Sequence, residues 1–218
     1  MYFKDRIDAA CQLAKALAQF RGTRPLVLAI PRGAVPMGRV IADALEGELD
    51  VMLVRKLPSP FSAEFAIGAI DESGWAYVAR YAQETGADSA YIANVKREQL
   101  ALLGQRRALY TPARAPVDAH GRVAIVVDDG LATGATMIAA LHAVRAKHPA
   151  RLICAVPVAA QQSLDAVRPF ADQIVCLHAP LDFHAVSQFY QSFPQVSDAE
   201  VCAELEATHA LSAKAGAT

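Results

Sequence analysis

The chain has 218 residues, of which 54% are hydrophobic and 20% charged, and its formal net charge at pH 7 is −1. This length and composition are typical of one compact globular domain and exclude an intrinsically disordered chain. The nearly balanced charge provides no broad basic surface for nucleic acid. No apolar run reaches the length of a membrane span, and the charged first ten residues lack the apolar core of a signal peptide. We therefore expect a cytoplasmic protein that binds neither a membrane nor nucleic acid.

The first half of the chain alternates helical and strand patterns and then changes character. Apolar residues recur at helical spacing near the start, and two short apolar runs are typical of buried strands. Residues 57–79 combine prolines with two β-rich runs, which predicts a flexible insertion that carries a hairpin. The predicted elements are a helix over 3–20, a strand over 25–30, a helix over 36–45, a strand over 50–56, hairpin strands over 66–70 and 75–79, and a helix over 90–109.

The second half repeats strand and helix in regular order, which favours an α/β fold. Strands that alternate with helices imply an open, mainly parallel sheet flanked by helices, with right-handed crossovers. Nothing resembles an interdomain linker, so residues 1–218 form a single predicted domain. The predicted elements are strands over 123–127, 151–159 and 173–179, helices over 135–147 and 161–168, and an irregular aromatic stretch from 180 that leads into a helix over 198–210.

A buried strand runs directly into a loop rich in glycine and threonine at residues 123–137. Asp128 and Asp129 end the strand, and two glycines and two threonines follow before the next helix begins. Glycines allow backbone N–H groups to converge, and a helix N-terminus favours an anion. The loop therefore predicts a phosphate site, with the two carboxylates free to meet hydroxyl groups or a metal.

The pattern Asp128-Asp129-x-x-x-Thr133-Gly134-x-Thr136 after a hydrophobic strand resembles the phosphoribosyl pyrophosphate (PRPP) motif of the type I phosphoribosyltransferases. The resemblance implies that the two acids contact the ribose 2′- and 3′-hydroxyls and that the loop binds the 5′-phosphate. The alternative is an acidic strand end followed by a helix that Thr133 caps, which is common in α/β proteins. The substrate-binding residues implied in this loop are Gly130, Leu131, Ala132, Thr133, Gly134, Ala135 and Thr136.

The loop after the first strand is a second candidate anion site. Ligands of open α/β sheets collect at the carboxyl ends of the strands, so residues 31–35 should lie near the phosphate loop. Arg32 offers a fixed positive charge, while Gly33 and Ala34 follow it. The resemblance implies that this loop binds pyrophosphate through a strained or cis peptide at or beside Arg32–Gly33. The alternative is a plain β–α turn with an exposed arginine.

Arg55 and Lys56 occupy the end of the next predicted strand, so we expect them at the same edge of the sheet. Two cations there would balance the charge of pyrophosphate, and the resemblance supports a basic residue after this strand. Solvated charge at a strand end is the alternative. The resemblance also implies that residues 57–79 include a mobile lid, for which residues 64–68 are the candidate.

The implied chemistry is transfer of a phosphoribosyl group. Mg²⁺ would bridge pyrophosphate and the ribose hydroxyls, with Asp128 and Asp129 as metal ligands, and the predicted catalytic residues are these two acids, Arg32 and Lys56. Residues 180–218 are expected to form a hood over the acceptor base, with Phe183 as a base contact. Ala132 stands where purine-salvage members place an acid, so a hypoxanthine or guanine acceptor is not favoured.

The sequence thus indicates a magnesium-dependent enzyme that transfers 5-phosphoribosyl from PRPP to a small, nitrogenous acceptor. Two alternatives stay open, namely a non-catalytic regulator that binds PRPP or a nucleotide and a ribose-phosphate hydrolase or phosphorylase. A regulator of this kind would pair the binding loop with a basic face, for which the helix carrying Lys96, Arg97, Arg106 and Arg107 is the candidate. The sequence leaves open whether the protein forms a homodimer.

Overall fold

The computed structural model describes residues 2–112 and 115–215, apart from the side chains of residue 64 and residues 208–215. Its main element is a sheet of five parallel strands in the order β2-β1-β6-β7-β8. The predicted α/β fold with a mainly parallel sheet is therefore confirmed. The elements of this layer are α1 (Arg6–Ala16), β1 (Leu26–Ala29), α2 (Ala34–Leu45), β2 (Glu48–Val51), β6 (Val123–Val127), α4 (Ala135–Arg145), β7 (Arg151–Val158), α5 (Gln161–Val167) and β8 (Gln173–His178).

The central strands are buried on both faces because helices cover each side of the sheet. Along β6, Ile125 and Val127 belong to one hydrophobic core, while Ala124 and Val126 belong to the other. This alternation follows from the two-residue period of a strand. The continuous apolar runs in the sequence therefore reflect a sheet that lies between two cores.

A second, antiparallel sheet follows β2 and packs against α4. Its strands are β3 (Val54–Ser59), β4 (Ser62–Asp71) and β5 (Ala76–Val78), and α3 (Ser89–Tyr110) comes next along the chain. The predicted hairpin is confirmed by the pairing of β4 with β5. Flexibility of residues 57–79 stays a prediction.

The single strand predicted over 50–56 is wrong. The chain leaves the parallel sheet after Val51, and Val54 begins antiparallel pairing with the partner strand β4. Residues 51–54 are all buried, so an unbroken apolar run conceals the change from one sheet to the other. Periodicity alone cannot separate two buried strands that follow each other so closely.

The C-terminal segment returns to the start of the chain. Phe3 N donates to Phe189 O at 2.8 Å, and Gln191 N donates to Phe3 O at 2.9 Å. A 3-10 turn (Val186–Phe189) precedes this contact, and α6 (Asp198–Ala215) follows it. None of the helices in the described part of the chain combines the length and the apolar character that a bilayer crossing requires.

Candidate active site

The order of the strands places the candidate site between β1 and β6. Strand β1 pairs with β2 on one side and with β6 on the other, and all three run parallel. Successive connections therefore diverge from β1, which creates a crevice at the carboxyl ends of β1 and β6. The two loops predicted from the sequence, residues 31–35 and 128–136, both leave the sheet at this crevice.

The motif loop leads into α4 through a glycine. Gly134 has a φ of +77°, it occupies the N-cap position, and no side chain caps the helix. Thr133 is exposed and does not serve as the cap, contrary to the alternative interpretation of the motif. The first N–H groups of α4 and the positive end of its dipole thus lie at the loop, where an anion is stabilised.

Asp128 and Asp129 lie side by side at the end of β6, and Asp129 N donates to Asp128 Oδ1 at 2.9 Å. Burial raises the pKa of Asp128 well above its usual range, and the negative charge of Asp129 adds to this, while Lys56 and Arg6 oppose it. Burial also raises the pKa of Asp129, with Arg6 as the strongest opposing influence. Burial thus opposes the ionisation of both acids, and a cation or a set of hydroxyl donors at this site would favour it.

Arg6 is the site residue that sequence reasoning missed. Its Nε and Nη2 donate to Asp129 Oδ2 at 3.0 and 2.8 Å, and its Nη1 donates to Pro194 O at 2.6 Å. The guanidinium carbon also lies 3.7 Å from the centre of the Phe193 ring. Arg6 begins α1 and is 123 residues from Asp129 in sequence, so no local pattern could have indicated the contact.

The loop after β1 touches this pair. The peptide bond between Pro31 and Arg32 is cis, which agrees with the unusual peptide expected beside Arg32–Gly33. A Cβ atom at Gly33 would overlap Asp129 Oδ2, so only glycine allows the loop to come this close. The Arg32 guanidinium points toward α6, with Nη1 3.9 Å from Asp198 Oδ2. Gly33 thus lies against Asp129 of the motif loop, while the Arg32 side chain extends toward the C-terminal helix α6.

A pocket of about 410 Å³ opens beside the two loops. Arg55 and Lys56 line it, but they come from β3 in the antiparallel sheet and not from the end of a parallel strand as expected. Arg106 of α3 is a third cation in the lining, together with Pro31 and Thr136 from the two loops. Burial, followed by the charge of Arg106, lowers the pKa of Arg55. The pocket therefore concentrates positive charge next to the motif loop.

The basic face suggested for α3 is not a continuous surface. Arg106 lines the pocket, whereas Arg107 pairs with Glu72, its Nη2 donating to Oε2 at 2.5 Å. Arg107 Nη1 also lies 3.9 Å from Asp50 Oδ1, and Asp50 is only 1% exposed. Two of the four cations on this helix thus serve the interior or the pocket. This arrangement removes the main support for a nucleic-acid-binding face.

The hood packs directly on the motif loop. Tyr190 Oη donates to Asp129 O at 2.7 Å, and Val186 lies against Gly130. Phe183 is partly buried and stacks on Phe189, with ring centres 5.5 Å apart. Contact between Phe183 and a base stays a prediction, because its observed partners belong to the core.

Comparison with known proteins identifies the family. The model of the phosphoribosyl transferase domain family matches residues 4–192. Two curated Mycobacterium tuberculosis proteins, from strains CDC 1551 / Oshkosh and ATCC 25618 / H37Rv and both named "Putative phosphoribosyl transferase", are 42% identical over 216 residues. That alignment covers 99% of this chain but 49% of each relative, so the chain spans about half the length of the curated relatives it matches.

A solved structure resembles nearly the whole chain. The crystal structure of the protein TT1426 from Thermus thermophilus superimposes with a TM-score of 0.79 at 40% sequence identity. The match covers 94% of this chain and 98% of that protein. Most of this chain thus shares its fold with a protein whose structure has been determined by crystallography.

Proposed function

We propose that this chain, which belongs to the phosphoribosyl transferase domain family, transfers 5-phosphoribosyl from PRPP to a small nitrogenous acceptor and releases pyrophosphate. One observation carries the proposal. Two adjacent carboxylates, a helix N-terminus without a side-chain cap and a cationic pocket converge at one crevice of the sheet. The carboxylates suit the ribose hydroxyls of PRPP, the helix N-terminus suits its 5′-phosphate, and the cationic pocket suits its pyrophosphate.

Each part of the donor has a chemically matched partner. The N–H groups around Leu131–Thr136 bind the 5′-phosphate, and Asp128 and Asp129 accept hydrogen bonds from the ribose hydroxyls. Loss of pyrophosphate leaves positive charge on the ribose ring, which nearby carboxylates stabilise. Gly33 and Ala34 present backbone to the pyrophosphate, and Arg32 reaches it from the α6 side.

The pocket cations neutralise the departing group. Lys56 lines the pocket, and its positive charge also opposes the rise in the pKa values of the two acids. Arg55 is held by Gln99, since its Nε donates to Gln99 Oε1 at 2.6 Å. Arg106 makes no ion pair within the described residues. These charges favour a group that carries several negative charges over a neutral one.

Magnesium fits the acids, and Asp128 is the better ligand. In proteins this ion takes one or two carboxylates together with substrate phosphates and water. Asp129 Oδ2 already accepts two hydrogen bonds from Arg6, whereas among the residues that the structure describes Asp128 accepts only a backbone hydrogen bond, at Oδ1. When bound, magnesium neutralises charge on the pyrophosphate.

Position 132 bears on the acceptor. Ala132 is exposed and offers no carboxylate, and its carbonyl oxygen accepts from Ser163 Oγ at 2.6 Å. A base that relies on an acid at this position is therefore disfavoured, which leaves acceptors other than hypoxanthine and guanine as the first to test. The cytoplasmic location and the homodimer stay predictions.

Incubation with PRPP, magnesium and a panel of nitrogenous bases tests the proposal through pyrophosphate release. We expect release that depends on one acceptor and falls at least about 100-fold in Asp128→Asn, because the variant removes a charge beside the reacting carbon. Asp165→Asn is the matched control, since that aspartate is exposed on α5. Binding of PRPP without release on any acceptor would indicate a regulator, and release without an acceptor would indicate a hydrolase.

A further inference from the structure

Arg6 stands at the junction of the four segments that build the crevice. It belongs to α1, it binds Asp129 of the motif loop, and it holds the hood through Pro194 O and the Phe193 ring. Its Nε and Nη2 would each lie 3.0 Å from a Cβ added at Gly33, so the loop after β1 is also in contact. The Arg6 side chain is 11% exposed, and the Asp129 side chain is 19% exposed.

The two oxygens of the Asp129 carboxylate differ in their contacts with Arg6. Both hydrogen bonds from Arg6 go to Oδ2, and neither goes to Oδ1. A guanidinium that binds through two N–H groups fixes the plane of its partner, which a lysine cannot do. Oδ1 is consequently presented in one orientation, and the charge of the carboxylate is compensated before any ligand arrives.

We propose that Arg6 is a positioning residue that dedicates Asp129 to a ribose hydroxyl and excludes it from metal binding. The inference rests on the proposed function, in which the crevice binds the ribose phosphate part of the donor. A divalent cation at Asp129 would lie close to the Arg6 guanidinium and would be repelled by it. Asp129 is thus reserved for a hydroxyl hydrogen bond, while Asp128 stays available both to a hydroxyl and to the metal.

Fixation of Asp129 also depends on the hood. Tyr190 Oη donates to Asp129 O at 2.7 Å, so the hood holds the backbone of this residue while Arg6 holds its side chain. Arg6 Nη1 in turn donates to Pro194 O at 2.6 Å, four residues after Tyr190. Substitution of Arg6 therefore releases the carboxylate without removing either acid.

Calorimetric titration with ribose 5-phosphate and with 2-deoxyribose 5-phosphate, both without metal, tests the inference. The deoxy compound lacks one hydroxyl, and a hydrogen bond to a charged group is worth at least about tenfold in affinity. We expect the wild-type protein to prefer ribose 5-phosphate by about tenfold or more. Arg6→Gln should retain binding of both compounds but reduce the preference to about twofold or less, and Arg6→Lys should restore it only in part.

The matched control is Arg21→Gln, which removes an ion pair to Glu46 in which both side chains are more than half exposed. This control should keep the wild-type preference. Circular dichroism at each titration temperature checks that the Arg6 variants are folded. If Arg6→Gln does not fold, the comparison is made with Arg6→Lys instead. An unchanged preference in the folded variant, or equal affinities in the wild-type protein, would overturn the inference. Failure of the wild-type protein to bind ribose 5-phosphate at all would instead reject the phosphate site of the proposed function.

Discussion

Gly130→Ala is expected to dislodge the hood from the motif loop. A Cβ at this position would lie 2.6 and 2.7 Å from the two methyl carbons of Val186 and 3.1 Å from Val158 Cγ1. Carbon atoms in contact normally lie about 3.5–4.0 Å apart, so room of about 1 Å must be created. The φ of Gly130 lies outside the left-handed region, so the cost of the substitution comes from space and not from backbone conformation.

The magnitude follows from which neighbour can move. Val186 is partly exposed on a 3-10 turn, whereas Val158 is fully buried in the sheet. Overpacking costs about 1–3 kcal/mol, and because the turn can shift we expect a loss of about 1–2 kcal/mol in the free energy of unfolding. Val186→Ala alone should cost about 1 kcal/mol through lost burial. Since it removes both close methyl groups, the double variant should be more stable than the sum of the single effects by about 1 kcal/mol.

Urea denaturation followed by circular dichroism and by the fluorescence of Trp75, the one tryptophan of the chain, measures these values. Gly104→Ala is the matched control, because Gly104 lies within α3 and a Cβ there meets nothing within 4 Å. That variant should gain about 0.5–1 kcal/mol from helix propensity. Strict additivity of Gly130→Ala and Val186→Ala would refute the contact between the hood and the motif loop.

Two further predictions concern ionic groups away from the crevice. Arg107→Met should cost about 1–3 kcal/mol of unfolding free energy in urea denaturation, because it removes the hydrogen bonds to Glu72 and the positive charge 3.9 Å from the buried Asp50 carboxylate, which keeps its backbone hydrogen bonds from Val51 and Val117. A loss under about 0.5 kcal/mol would contradict the role of the cluster. The hydrogen bond from Arg145 lowers the pKa of Asp172 below its ordinary 3.8, although burial opposes the shift. The Asp172 carboxylate therefore adds stability above pH 3.8 that is lost as the pH falls through its lower folded value, so the stability difference between wild type and Asp172→Asn should shrink between about pH 5 and pH 2. A difference that stays constant over this range would rule out the shift.

Local patterns in the sequence were sufficient to predict the parallel sheet and the motif loop. The run over 123–127 is apolar at every position, and such a run is expected only where helices cover both faces of a strand. The acids and glycines that follow it are consecutive, so their proximity at the end of β6 is a consequence of chain connectivity. These features needed no knowledge of distant contacts.

The second sheet was predicted only in part because its boundary carries no local signal. Buried residues continue from Val51 to Val54 while the chain passes from one sheet to the other. The passage from one sheet to the other matters for the site, because it puts Arg55 and Lys56 on β3. From there both residues line the same pocket as Arg106 of α3. A strand that ended at the parallel edge would have placed the same two charges in a different direction.

The contact of Arg6 with Asp129 shows where prediction from local pattern stops. Arg6 appears in the sequence as one more charge on the polar face of an amphipathic helix, and most such charges are solvated. Its burial depends on the pairing of Phe3 with residues 189–191, which draws the start of α1 under the hood. That pairing joins the start of the chain to the segment that precedes α6, so it is determined by the packing of the whole chain. An acid that looks free in the motif is therefore already bound in the fold, and the chemistry of the two neighbouring aspartates differs for a reason that lies 123 residues away in the sequence.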